Sequence, residues 1–234
     1  MGTQPVNRFF WIVAAIVAAA SLASCRRPVE AAKGPAAAPV AVGVERASPV
    51  RWNAVTGGFE LNGKPLKTAK LWTFDGSTDG FTPVGSKIVP APGQGISVTI
   101  IDPTIRSPKG LNVPGAQYSL VLVRLTRTAA ASAWDGALYY STPAHSEAIG
   151  FLGKPLSGAD PKVGETTTLI YDMSRQAAGG PDWTQSVIDQ IRFDIEDKAG
   201  AAFVIRQIAI AESSDPAALT LAPKSAAAPP SAKP

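Results

Sequence analysis

The chain has 234 residues, 45% hydrophobic and 17% charged, with 21 Gly, 21 Pro, one Cys and one His. That length suits one folded domain with appendages; a single Cys excludes an internal disulfide framework and a Cys-built zinc site, and a single His excludes a multi-histidine metal centre. The net charge of +4 belongs to the flanks, since Ala69 to Glu212 holds 12 Lys/Arg against 14 Asp/Glu, and that slightly acidic centre lacks the basic face of a nucleic-acid binder.

The N-terminus carries the clearest address. Met1–Arg8 has one positive charge and Phe9–Ala20 is an unbroken apolar run. The run is shorter than the about 20 residues a spanning helix needs. A charged start, a short apolar centre and small residues at the end predict a secretory signal peptide over residues 1–24. Its end, Leu22-Ala23-Ser24-Cys25, resembles the lipobox of bacterial lipoproteins. The resemblance implies that Cys25 receives a diacylglyceryl group, becomes the mature N-terminus and anchors the chain in membrane lipid. Arg26 after the cysteine then favours passage to the outer membrane. Met1-Gly2 is not a myristoylation signal, because Val6 stands where Ser or Thr is required.

Residues 25–56 read as an Ala/Pro-rich tether, without apolar periodicity from Arg26 to Val50. Such linkers extend at ~3.1 Å per residue, and Arg26, Arg27 and Lys33 are placed to meet anionic headgroups. Asn62-Gly63 predicts a tight turn and an edge hairpin over 57–68. Strands are predicted over 70–74, 95–101, 118–128, 136–141, 147–152, 166–172, 190–196 and 203–211, most of them β-branched or aromatic and bounded by turn residues. Period-two alternation is clear in Ile191/Phe193/Ile195 against Arg192/Asp194/Glu196. One helical turn is predicted at 182–189 with Asp182 as its cap, and the tail 213–234 reads as disordered. The fold class is all-β, a β-sandwich or jelly roll over 69–212.

A succession of aromatic, Asp and Arg positions adds to this reading. Trp72-Thr-Phe-Asp75-Gly, Asp79-Gly-Phe81, Asp102-Pro103-Thr-Ile-Arg106-Ser-Pro108, Tyr118 to Arg124, Leu138-Tyr139-Tyr140 and Ile191-Arg192-Phe-Asp194 occur in that order. It resembles the galactose-binding-domain-like β-sandwiches found as carbohydrate-binding modules and accessory domains of secreted bacterial proteins. The resemblance implies a sandwich fold and a structural calcium near the sheet ends, with Asp75, Asp79 and Glu212 as candidate ligands. The chain departs from it at Arg206-Gln207, where many members have an Asp in the last strand.

Catalysis has little to stand on. His145 sits in a loop stretch, and no Gly-x-Ser-x-Gly elbow accompanies the nearby serines. Asp102, Asp135, Asp172, Asp194 and Glu196 could supply a glycosidase pair, but most lie at strand ends or beside Gly/Pro, where Asp serves turns. No catalytic residue is assigned. Binding has better candidates. Trp134 follows a small-residue run and precedes Asp135-Gly136, which predicts a loop position with the ring free to stack on a sugar. Tyr140, Arg124 and Arg192 are expected to join it, since Arg offers five fixed donors. Tyr139 and Tyr140 point to opposite faces, so at most one can take part. Internal pairing of Arg124 and Arg192 with Asp194 or Asp102 is the competing arrangement. The expected function is a lipid-anchored cell-envelope protein whose non-catalytic domain binds a neutral or sparsely charged glycan, because no large positive field would steer a strongly anionic one. A structural role against another envelope protein is the alternative.

Overall fold

The structure, a computed structural model, describes residues 43–91, 93–99, 104–156 and 160–220. Cys25 and Asp102 lie outside the described residues. The alternation of Leu120–Ala129 sets the architecture, because successive side chains of a strand point to opposite faces. Val121, Val123 and Leu125 enter one apolar core, while Leu120 and Leu122 enter a second.

Two sheets enclose the larger core. In the first, the strand order is Val44–Glu45, Glu165–Asp172, Leu120–Ala129, Ala202–Ala211, Gly95–Thr99 and Lys87–Ala91. Ala202–Ala211 also pairs with Thr68–Trp72: Ala202 to Ile205 meet Gly95–Thr99, and Ile208 to Ala211 meet Thr68–Trp72. Arg206 is the extra residue of a β-bulge, since Arg124 pairs Gln207 while Leu125 pairs Ile205. In the second sheet the order is Leu152–Gly153, Trp134–Ser141, Gln190–Glu196, Thr104–Arg106 and Thr82–Val84. Between the sheets lie Phe74, Leu138, Tyr171, Trp183, Phe193 and Phe203, all buried. Each fully buried large apolar side chain is worth about 1.5–3 kcal/mol, so this core dominates stability. The all-β sandwich is the fold of this chain.

One end of the sandwich is pinned by charge. Arg127 of the first sheet reaches Glu196 of the second through paired hydrogen bonds of 2.7 and 2.8 Å, at 5% and 0% exposure. Glu196 also accepts from the Ala131 amide at 2.8 Å, and Arg127 donates to the Pro161 carbonyl at 3.0 Å.

The outer face of the first sheet is covered. Leu120, Leu122, Ile170, Ala209 and Ala211 pack under Val50, Phe59 and Leu219. Val50–Asn53 pairs with Gly58–Leu61, which turns through Asn62 and Gly63 into Lys64–Pro65. Both turn residues have left-handed backbone, φ 50° and 80°, as a two-residue hairpin requires.

Several expectations are corrected here. Among the described residues, Val44–Glu45 already pairs in parallel with Glu165–Asp172, so residues 43–56 are not tether and the sandwich does not start at 69. At the other end, Pro216–Leu219 forms a 3-10 turn that buries Leu219, so 213–220 is not loose tail. These pieces escape periodicity because each offers only one or two apolar contacts. Strand 147–152 shrinks to Leu152–Gly153, the preceding loop being used to bring Glu147 onto the sheet. The short helix is Asp182–Gln185 with Pro181 at its cap position, and the Asp182 carboxylate is engaged elsewhere. Thr82–Val84 and Lys87–Ala91 were hidden by Pro83 and Pro90, which edge strands tolerate.

Glu196→Ala strands the buried Arg127 guanidinium and is expected to cost about 3–5 kcal/mol in urea unfolding. The hydrogen bonds from Arg46 hold the Glu165 carboxyl below its ordinary range. A depressed folded value makes this contribution full above the unfolded glutamate range and lost as pH falls through the folded value. The stability deficit of Glu165→Gln should therefore be largest above about pH 5 and fade below about pH 4, read by denaturation across pH.

Candidate functional site

The outward face of the second sheet is open, and alternation decides what it presents. Ile191, Phe193 and Ile195 are buried in the core, leaving Arg192 and Asp194 on the other face. Register sets Tyr139 beside Arg192, and Arg192 beside Arg106. The Arg192 guanidinium lies 4.1 Å from the Tyr139 ring centroid, a cation–π contact.

Two arginines directly opposite on adjacent strands repel each other. Glu147 resolves this. Its carboxylate takes both Nε and Nη2 of Arg106 at 2.7 Å, and Nη1 of Arg192 at 3.3 Å. The hydrogen bond to Glu147 holds the Arg106 guanidinium above its ordinary range. Arg192 also reaches Asp194 at 3.4 Å, and Asp194 accepts from the Thr104 hydroxyl at 2.9 Å.

Glu147 arrives on a loop that is itself fixed. Thr142 and His145 exchange backbone hydrogen bonds of 3.0 and 3.3 Å. The His145 ring stacks on Phe151 with centroids 3.5 Å apart and planes 10° apart. Its Nε2 lies 2.9 Å from Asp182 Oδ2 and its Nδ1 2.9 Å from the Ser146 carbonyl oxygen. The same Asp182 oxygen accepts from the Tyr140 hydroxyl at 2.8 Å. Burial, then this hydrogen bond, pushes the Tyr140 phenol well above its ordinary range. Both ring nitrogens of His145 are thus engaged in holding the loop, and neither meets a serine hydroxyl among the described residues.

This loop, the Gln190 end of the sheet and the segment around Lys109 enclose an open cleft of about 680 Å³, with Arg106, Arg192 and Glu147 along one wall. The opposite wall is held by Asp189, whose carboxylate accepts from the Gly110 amide at 2.9 Å and whose carbonyl accepts from Leu111 at 2.9 Å. The cleft is wide and polar, with Arg106, Ser141, Gln190 and Arg192 set on strands and the rest of its lining on loops.

Of the expected binding residues, only Arg192 is here. Tyr140 is fully buried with its hydroxyl on Asp182, so it offers no ring to a ligand; Tyr139 takes the outward position instead. Trp134 is not on an open loop. It begins Trp134–Ser141, lies half-buried against Phe203 at 6.1 Å and has Arg127 5.9 Å from its ring. Gly136 lets the indole close down, since a Cβ there would come within 2.7 Å of the ring. Arg124 stands on the outer face of the first sheet, bonded to Glu45 at 3.0 and 2.8 Å and to Gln207 at 3.0 Å. The fold therefore puts Arg124 and Arg192 on different sheets.

Two of the calcium candidates, Asp79 and Glu212, carry local hydrogen bonds. Asp79 accepts from the Phe74 amide at 2.8 Å and from the Ser77 hydroxyl, while Glu212 accepts from the Lys67 amide at 3.1 Å. Among the described residues, Asp135, Asp194 and Asp197 form the one group of three or more acidic side chains whose oxygens lie within 4.8 Å of one another. Lys154 pairs with Asp135, and Arg192 with Asp194, so cations of the chain already serve this group.

Arg106, Glu147, Lys109 and Tyr139 are what sequence reasoning missed. The outward alternation of Arg192 was legible, but its direct opposition to Arg106 depends on register, which spans more than eighty residues.

No known protein family matches the sequence, and no curated protein matches it. A solved structure of a conserved carbohydrate esterase from the Shiga toxin-encoding bacteriophage phi24B aligns with 64% of this chain and 100% of its own, at 13% identity and a TM-score of 0.40.

Glu147→Gln leaves two opposed guanidiniums without their carboxylate. It should lower the unfolding free energy by about 1.5–3 kcal/mol, with the loss measured by urea denaturation.

Proposed function

We propose that this chain binds a glycan, without chemical conversion, in the cleft on the outward face of the second sheet. One observation carries the reading: a wide polar cleft whose hydrogen-bonding groups are fixed before any ligand arrives, through Glu147 on one wall and Asp189 on the other. A sugar is a rim of hydroxyls around an apolar face, and it is held best by groups that need not be ordered on binding. Arg106 and Arg192 supply forked donors, Gln190 and Ser141 also line the cleft, and the Tyr139 ring supports the Arg192 guanidinium.

The anchoring half of the reading rests on Leu22 to Cys25, which supports a diacylglyceryl-modified Cys25 and a place in the cell envelope, at the outer membrane of a diderm cell. Among the described residues no helix is long and apolar enough to cross a membrane. Cys25→Ala should abolish acyl labelling of the chain in its host; unchanged labelling would overturn the anchor.

The binding half is tested with the full chain on a glycan array, followed by titration of the retained sugars. Arg192→Lys keeps the charge but loses the fork and the flat face over Tyr139. Affinity should fall at least about tenfold in this variant while its circular dichroism is unchanged. If the wild type retains no glycan and instead captures an envelope protein through the same cleft, the assembly role replaces this reading.

A further inference from the structure

Building on the glycan reading of the cleft, we infer that its ligand is an acidic sugar, with the carboxylate seated between Lys109 and Arg106. The inference comes from what the cleft has already used. Glu147 accepts three N–H groups, two from Arg106 and one from Arg192, so most of its acceptor capacity is taken up by the protein. Asp189 has one carboxylate oxygen on the Gly110 amide. The donors are less spent. Arg106 uses Nε and Nη2 on Glu147, and its Nη1 makes no hydrogen bond among the described residues. Lys109 is exposed and has no ion-pair partner among the described residues. What faces a ligand between Arg106 and Lys109 is therefore a set of cationic N–H groups.

A neutral sugar hydroxyl both donates and accepts, so it uses such a wall only in part. A carboxylate only accepts, and its hydrogen bonds to Arg or Lys are roughly twice as strong as neutral ones. Lys109 is also held in place rather than tethered loosely, because the residues that follow it donate to Asp189 through Gly110 and Leu111. Recognition is local. The domain around the cleft is slightly acidic, so a single uronic-acid-type carboxylate is favoured over a densely charged polymer that long-range repulsion would hold off.

The experiment is isothermal titration of the full chain with matched pairs of short oligosaccharides in gluco, galacto and manno configuration. The members of a pair differ only in a hexuronic acid replacing one hexose. The acidic member of at least one pair should bind about tenfold tighter than its neutral partner. Lys109→Gln should bring that ratio close to one, and Lys109→Arg should restore it. Lys109 is exposed, so these variants test the ligand rather than folding. Equal affinity within every pair, a preference for the neutral members, or an unchanged ratio in Lys109→Gln would overturn the acidic-sugar inference and leave glycan binding standing. Binding of neither member in any pair would overturn both.

Discussion

The sandwich depends on a charge pair that a purely apolar account of its core would leave out. Arg127 and Glu196 belong to different sheets and meet at one end of the molecule in almost complete burial. A buried ion pair gains little over a well-packed apolar replacement, but losing one partner leaves the other uncompensated in a low-dielectric site. The pair therefore acts as a constraint on geometry. Glu196 also binds the Ala131 amide, and Arg127 lies near the rings of Trp134 and Phe203, so one contact ties two sheets, a connecting loop and two aromatic side chains. With that end fixed, Trp134–Ser141 and Gln190–Glu196 keep the register from which the cleft is made.

The cleft repeats the same logic in a wetter setting. Register brings two guanidiniums face to face, and the repulsion between them is offset by a carboxylate delivered on a loop. The loop is placed by a stacked histidine whose partner, Asp182, is shared with a core tyrosine. The wall of the cleft is thus connected to the interior through Tyr140, and its shape is set by the core rather than by the ligand. That is the condition under which modest numbers of polar contacts give useful affinity, because little ordering remains to be done on binding.

Much of the fold was legible in the sequence. Alternation in Gln190–Glu196 placed its arginine and aspartate outward, and Asn62-Gly63 marked the hairpin turn. The strand Val44–Glu45 and the 3-10 turn Pro216–Leu219 were not legible, because two to four residues carry no period. Pro83 and Pro90 further masked strands that survive only as edges. The site was read less well for a different reason. Trp134 looked free because its neighbours are small, yet Gly136 is small so that the indole can lie against the core. Tyr139 and Tyr140 were known to face opposite ways, but which one faced in depended on the bulged pairing of Trp134–Ser141 with Gln190–Glu196. Glu147 gave no signal at all, since its role exists only where a loop meets two strands far away in sequence.

The hairpin that roofs the first sheet has a consequence for how such a chain can change over generations. On that side, residues such as Leu120, Leu122 and Ile170 are committed twice, to their own strand and to the lid above them. Substitutions there must be matched by others, which slows drift. The bare side of the second sheet carries no lid. Positions such as Lys109 and Tyr139 can be exchanged singly without reopening the interior, so the chemistry of this face can diverge between descendants while the scaffold stays the same.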